Sequence, residues 1–425
     1  MTRVFGFVAF LLVAAGAQAT DAASVLFEDS RAHIVQVLIM EVESDKKAAI
    51  GSGFRVGDAG VIATNFHVIS EAVHDPEGYR VEVLDGAGER TAAKIVHFDV
   101  IHDLALVRTD EAPEGALQVS ADALTKGQTV FALGNPFDLG QTIVPGTFNG
   151  LLETSFYQKL LFSGSLNPGM SGGPALDAEG RVVGVNVATS GNQISFLVPV
   201  KYLVALIDRA ATGAALVADA YGAEIGRQLM DDQAYKYDLL LNLDWPTQKL
   251  GSARVGADVS DYFKCWGDTH EDDDMLHTVT ETMCTSQDSI YISSNFQTGA
   301  IDYQYTWAES DVLGDLRFSA FVGQSMGSMY TRNLATEEDV SNYRCHQSFV
   351  EDGLYTGDDI PDDWRTVFCV RRYKDYPGLY DVLYLSTLFG EATEALSTHF
   401  ALSGVSMENA IRFLRKFTEL QSWGS

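Results

Sequence analysis

Apolar and polar residues along this chain fall into short runs punctuated by Gly, Asp and Asn. Residues 34–40 (IVQVLIM) read as a buried strand, and β-type runs recur at 53–56, 61–64, 79–84, 91–98, 104–109, 129–133 and 143–152. Strands at even spacing with no helical pattern between them predict an all-β barrel architecture. Residues 24–31 predict a short helix or arm leading in. After Pro199 the pattern changes: residues 200–208 have the apolar spacing of a helix packed on the barrel, and a second helical stretch covers 213–241. That stretch lacks a sustained heptad, which favours an interdomain connector over a coiled coil. Beyond residue 245 the chain alternates like a β domain at 289–293 and 301–307, with further runs at 316–322 and 366–373. It closes with an amphipathic helix at 407–420, where Ile411, Phe413, Leu414 and Phe417 share one side. A chain of 425 residues exceeds what one hydrophobic core usually serves, so two domains are the default expectation and three the alternative.

The N-terminus reads separately. Arg3, an apolar stretch at 4–15 and the small-x-small site Ala17-Gln18-Ala19 predict a secretory signal peptide over residues 1–19, hence a periplasmic or secreted protein. The apolar run is short for a membrane anchor, and no later segment is long and apolar enough to span a bilayer after signal removal. The net charge is −29, with −10 in residues 1–205 and −19 in residues 206–425. Such a balance argues against nucleic acid as a partner, because phosphate binding needs clustered Lys and Arg. The acidity of the second half fits solubility outside the cytoplasm, with a cation or binding surface as the competing reading. His270 and the acidic residues after it lack the ordered spacing and glycine of a calcium loop.

All four cysteines, Cys265, Cys284, Cys345 and Cys369, lie in the second half. An even count in an exported chain predicts two disulfides. Their order favours two local loops, Cys265 with Cys284 and Cys345 with Cys369, among three possible pairings. Zinc is the competing reading, and no Cys-x-x-Cys or paired Cys/His spacing supports it.

The candidate chemistry sits in the first half. Residues 167–176 (NPGMSGGPAL) place Ser171 between glycines, which allow a tight turn and close approach of a substrate. A serine hydroxyl is a weak nucleophile: it needs a histidine to take its proton, and the histidine needs a carboxylate to fix its tautomer. His67, at the end of a strand-like run, and Asp103, opening another strand, supply both. The order is His, Asp, Ser, with intervals of 36 and 68 residues, the order of chymotrypsin-type enzymes. His102, beside Asp103, reads as a surface or packed histidine, and His33, His74 and His97 have no motif around them.

Together Gly51-Ser52-Gly53-Phe54, residues 64–68 (TNFHV), residues 102–107 (HDLALV), residues 133–137 (LGNPF) and residues 167–174 resemble the protease domain of the HtrA/Deg family of trypsin-like serine proteases. The resemblance covers about residues 25–205. It implies two six-stranded barrels with the triad His67, Asp103 and Ser171 in the cleft between them, and an oxyanion hole from the N–H groups of Gly169 and Ser171. Met170 stands where the family usually has asparagine. The resemblance also puts Ser165 at the base of the substrate pocket, with Val187, Ala188 and Thr189 on one wall and Ser195 on the opposite strand. With no carboxylate at the base and Ser195 in place of the usual glycine, the pocket is expected to favour small or medium aliphatic residues. HtrA proteins commonly carry peptide-binding PDZ domains after the protease; no Gly-Leu-Gly-Phe-like loop is found here, so the tail departs from that pattern.

The expected architecture is therefore mainly β. A two-barrel chymotrypsin-like protease domain (20–210) is followed by a helical connector (211–244) and a disulfide-containing α+β C-terminal domain (245–425) of unknown function. The expected activity is that of an exported serine endopeptidase acting on protein or peptide substrates, with no metal or organic cofactor and with oligomerisation possible. The alternative is a gated or inactive protease-like protein-binding scaffold. An esterase is disfavoured, since the strand-to-helix Gly-x-Ser-x-Gly elbow does not surround Ser171.

Overall fold

The computed structural model describes residues 17–57, 60–110, 115–120, 122–189, 194–270, 276–326, 334–350, 364–390 and 393–423. Most of the expected signal peptide lies outside the described residues; its last residues open helix α1 (Ala17–Ser30). No helix among the described residues is long and apolar enough to cross a membrane.

Six strands close the first barrel: β1 (Ile34–Glu41), β2 (Lys47–Arg55), β3 (Val61–Thr64), β4 (Tyr79–Leu84), β5 (Arg90–Asp99) and β6 (Leu104–Thr109). Helix α2 (Phe66–His74) leaves the end of β3. The expectation that the strand runs on to His67 fails here, because Phe66, Ile69 and Val73 recur at helical spacing and bury one face of α2 in the barrel core. A second closed barrel follows: β7 (Thr129–Gly134), β8 (Thr142–Leu151), β9 (Leu160–Phe162), β10 (Pro174–Leu176), β11 (Val182–Thr189) and β12 (Ser195–Pro199). Closure leaves neither barrel with a free edge. The protein is mainly β, and the two-barrel expectation holds.

Helix α3 (Val200–Thr212) buries Leu203 and Leu206 against the barrels. The next helix, α4 (Tyr221–Asn242), begins later than the sequence pattern suggests, after an extended stretch that starts at Gly213. It is more than a connector, its middle turns being bonded to elements on either side. Gln228 donates to the Phe98 carbonyl (2.9 Å) and accepts from Val100 N (2.8 Å) in the first barrel. Gln233 accepts from Asn409 Nδ2 (2.9 Å) in the C-terminal domain.

The C-terminal domain opens with β13 (Thr247–Leu250) and β14 (Ala253–Gly256). Its main sheet has seven antiparallel strands drawn from β15 (Phe263–His270), β16 (Thr278–Ser286), β19 (Ile301–Glu309), β20 (Arg344–Val350), β21 (Trp364–Arg372), β22 (Tyr380–Phe389) and β23 (Glu394–Val405), in the order β15-β16-β19-β23-β22-β21-β20. Between β16 and β19 the chain projects a hairpin, β17 (Ile290–Ser293) and β18 (Phe296–Thr298). The run at 316–322, read as a strand, is helix α5 (Asp315–Met326). Phe318 and Val322, four residues apart, are buried together while Leu316 is exposed, the pattern of a helix face. Helix α6 (Met407–Glu419) caps its first turn with Ser406 Oγ accepting from Asn409 N, and lays Phe413 and Phe417 on Phe400 of the sheet. The two-residue strand β24 (Ser422–Trp423) returns to pair with β14.

Both disulfides form in the local pairing, Cys265–Cys284 and Cys345–Cys369. In each the two cysteines sit directly opposite one another on neighbouring strands, tying β15 to β16 and β20 to β21 at the two ends of the sheet. Asp258 approaches the first pair, but sulfurs joined in a disulfide are not thiolate ligands, so the zinc reading fails here.

His399, on the central strand β23, is buried, and burial pushes its pKa down to about 4 from 6.5. A histidine with a depressed folded-state pKa contributes stability that is complete above pH 6.5 and is lost as pH falls towards 4. The expected loss over that window is about 3 kcal/mol. Urea unfolding at a series of pH values checks this: the wild-type slope between pH 6.5 and 4 should exceed that of His399→Asn.

Candidate active site

Asp103 is in a turn immediately before β6, not in the strand, and its φ of 55° is left-handed, a conformation that aspartate tolerates better than most residues. From there its carboxylate grips the start of α2 twice. Oδ1 accepts from the His67 backbone N–H at 2.8 Å and Oδ2 meets His67 Nδ1 at 2.6 Å. The first turn of a helix carries unpaired N–H groups and the positive end of its dipole, so the carboxylate fixes the imidazole and caps the helix at once. Asn65 Nδ2 donates to the Asp103 carbonyl at 2.7 Å and steadies the same turn. Burial opposes a charge on His67, but the Asp103 charge and hydrogen bond outweigh it, and the histidine pKa is raised above 6.5.

Ser171 arrives from the second barrel on the turn before β10. Its geometry depends on the glycines around it. Gly169 and Gly172 have φ of 95° and 85°, and a Cβ on Gly173 would lie 2.1 Å from the Leu133 carbonyl oxygen. Ser52 on β2 fastens this turn to the first barrel. Its Oγ donates to the Gly169 carbonyl (2.7 Å) and accepts from Asn135 N (2.8 Å), and its own N–H donates to the Ser171 carbonyl (2.8 Å). Asn186 Nδ2 adds a bond to the Leu133 carbonyl (2.9 Å) from inside the second barrel. Met170 turns its side chain into the second barrel's core. Among the described residues, the N–H groups of Gly169 and Ser171 donate to no acceptor. Ser171 Oγ itself donates to the Val187 carbonyl at 3.2 Å, and not to His67.

Of the expected pocket residues, Val187 lines a cavity of about 240 Å³ beside His67 and Asp103. Ser165 is exposed and does not line it. Ser195 is fully buried, its Oγ donating to the Gly164 carbonyl (2.8 Å) and accepting from Leu166 N (3.3 Å), so its hydroxyl occupies the space between β12 and the turn after β9. Ala188 and Thr189 lie in β11 opposite Phe196 and Ser195, and their side chains fall outside the description. His102 is packed, as one of its readings anticipated: it stacks on Tyr202 at 3.7 Å and bonds Asp99 at 3.0 Å. His74, which no motif marks, meets the Ile292 carbonyl of the β17–β18 hairpin at 2.8 Å. The cation reading at His270 rests on residues 271–274, which lie outside the described residues.

Sequence reasoning missed how closely the C-terminal domain approaches. Tyr291 of β17 stands edge-on to His67, with ring centroids 5.9 Å apart, and its hydroxyl is 3.5 Å from Ser70 Oγ. The loop between β8 and β9 is held by two carboxylates from beyond the second barrel. Asp288 accepts from Ser155 Oγ (2.6 Å), Phe156 N (2.7 Å) and Lys159 Nζ (3.3 Å), and Asp232 of α4 accepts from the Tyr157 hydroxyl (2.6 Å). Burial and then the Asp232 charge push the Tyr157 hydroxyl well above its usual pKa, so it stays a donor. Lys236 sits buried between Asp232 (3.4 Å) and the Gly299 carbonyl (3.1 Å).

Residues 51–185 match the family described as trypsin-like peptidase domain. The chain is 32% identical over 210 residues to "Protease Do-like 1, chloroplastic" from Arabidopsis thaliana, covering 43% of this chain and 46% of that protein. It is 36% identical over 162 residues to "Probable periplasmic serine endoprotease DegP-like" from Bartonella henselae (36% and 31% covered), and 33% identical over 197 residues to "Serine protease HTRA1A" from Danio rerio (43% and 39% covered). The chain thus spans less than half the length of these relatives. A solved structure described as "Crystal structure of Deg5" aligns with 27% identity and a TM-score of 0.40, over 45% of this chain and 96% of that one.

Two closed barrels and the match over residues 51–185 make this part of the chain similar to a trypsin-like peptidase domain. Within that class the domain is HtrA/Deg-like.

Removing the Ser52 hydroxyl leaves the Gly169 carbonyl and Asn135 N–H buried without a partner. Ser52→Ala is expected to cost about 2 kcal/mol or more in urea unfolding, against a near-neutral result for the exposed Ser165→Ala.

Proposed function

We propose that the chain is an exported serine endopeptidase that cleaves protein or peptide substrates through His67, Asp103 and Ser171. The observation that carries this reading is the double grip of Asp103 on His67, next to a serine on a glycine-rich turn pinned between two barrels. For attack, the Ser171 hydroxyl leaves the Val187 carbonyl by side-chain rotation and donates to His67 Nε2. As Oγ bonds to the substrate carbonyl carbon, its proton passes to His67, and Asp103 stabilises the imidazolium. The N–H groups of Gly169 and Ser171 receive the developing oxyanion, a contribution commonly worth about 3–4 kcal/mol. His67 then protonates the leaving amine, and water, giving a proton to His67, releases the acyl group by the reverse sequence. A preference for small or medium aliphatic residues before the scissile bond is supported by the sequence alone, which has Ser195 where the resemblance leads one to expect glycine and no carboxylate at Ser165. Export is supported by the N-terminal pattern and by the printed name of the periplasmic DegP-like relative.

A second reading, a gated protease-like scaffold, is favoured by one observation: the Ser171 hydroxyl rests on the Val187 carbonyl instead of His67. Incubating the chain and its Ser171→Ala variant with casein and with a fluorophosphonate probe separates the two. Cleavage and labelling at Ser171, both absent in the variant, are expected. Labelling without cleavage supports the gate, and absence of both leaves only the scaffold.

The raised pKa of His67 sets the pH response. The general base must be neutral, so kcat/KM should fall on the acid side with a single-proton limb centred above pH 6.5. Asp103→Asn should move that midpoint down and lower kcat by roughly 10⁴-fold. Rates on a peptide substrate from pH 5 to 9 give both numbers.

A further inference from the structure

The cavity beside the dyad is built by two domains. Val100, Ile101, Val187 and Val198 come from the barrels, while Ser289, Ile290 and Tyr291 come from the β17–β18 hairpin of the C-terminal domain. We propose that this hairpin completes the substrate cleft, forming one wall of a subsite that takes an apolar side chain of the polypeptide next to the bond cut. The proposal rests on the endopeptidase reading and adds a specificity element that lies more than a hundred residues beyond Ser171.

Three observations carry it. The first is position: His67, Asp103 and Val187 line the cavity, and the Val187 carbonyl touches Ser171 Oγ, so a chain lying across the dyad passes its mouth. The second is chemistry. The ionisable side chains of the lining already have partners: His67 has Asp103, His102 has Asp99, Tyr157 has Asp232 and Lys159 has Asp288. What they leave open is mostly apolar wall, which rewards an apolar side chain and penalises a polar one that would lose water without gaining a bond. The third is rigidity. His74 bonds the Ile292 carbonyl, Ile290 and Ile292 are buried in the core shared with α2, and Asp288 holds the facing loop by three donors. A wall fixed from both sides is already shaped before the substrate arrives, so its ordering does not subtract from binding.

The test uses the full chain and peptides that differ only at the residue facing the cavity, located first by sequencing the cleavage sites of a peptide library. Wild-type protein should cleave the Leu peptide at least tenfold faster than the Ala peptide, by kcat/KM. Ser289→Phe, at an exposed rim position, should fill the cavity and lower that ratio about tenfold. Tyr291→Ala should open it and shift the preference from Leu towards Phe. Each readout is a ratio between two substrates of one preparation, so partial unfolding of a variant cancels. Ratios unmoved in both variants, with Ser171 still labelled by fluorophosphonate, overturn the subsite alone. No labelling and no cleavage in the wild type overturn the endopeptidase reading and this inference with it.

Discussion

One buried hydroxyl joins the two barrels where it matters most. Each barrel closes its own ladder of backbone bonds and needs nothing from the other, so their relative placement falls to a few contacts across the cleft. Ser52 makes three of them, reaching the carbonyls on both sides of Met170 as well as Asn135. Around it there is no slack. A Cβ on Gly172 would come within 2.3 Å of both the Ser52 carbonyl and Thr64 Oγ1, and a Cβ on Gly51 within 2.6 Å of Val68 on α2. The nucleophile turn, the strand carrying Ser52 and the helix carrying His67 are therefore one packed unit, and their glycines record how closely backbone approaches backbone there.

The C-terminal domain belongs to this unit more than its separate sheet suggests. The apolar cluster beneath α2 runs without a break from Phe66 and Phe98 through Tyr221 and Ile225 of α4 to Phe296, Tyr373 and Tyr376. Buried polar groups reinforce it from the side, with Asp232, Asp288 and Lys236 set among the rings of Phe156 and Tyr157. Buried ions of this kind tolerate little displacement, because each must keep its partner to offset the loss of water. They position one domain against the other more strictly than apolar contact alone, which tolerates sliding.

How much of this was legible in the chain depended on how local its cause was. The barrel strands carry their own signal, alternating or continuous apolar runs between turn residues. The His67 and Asp103 positions stand in short motifs of their own, and the glycines beside Ser171 are needed for its turn. Where the cause was tertiary the reading slipped. His67 looked like the end of a strand because Val61, Ile62 and Ala63 open an apolar run that Phe66 and Val68 continue, and only burial of Phe66, Ile69 and Val73 on one side of a helix decides otherwise. The 316–322 run failed for the same reason, since Phe318 and Val322 share a face only once the segment is wound. Tyr291 and Asp288 carried no signal at all. An aromatic and an acid in an ordinary β pattern become part of the cleft solely through a contact between distant segments.

The two disulfides have a consequence for how copies of this chain meet one another. An open antiparallel sheet can lend its outermost strand to a neighbour, which is the usual route to domain swapping and to strand-by-strand aggregation. Here both outermost strands, β15 and β20, are bound covalently to the strand inside them. Neither can peel away to be exchanged, while the five strands from β16 to β21 remain joined to one another by hydrogen bonds alone. The crosslinks thus act at the boundary of the sheet and not at its centre: in an oxidising compartment they fix which chain each edge strand belongs to.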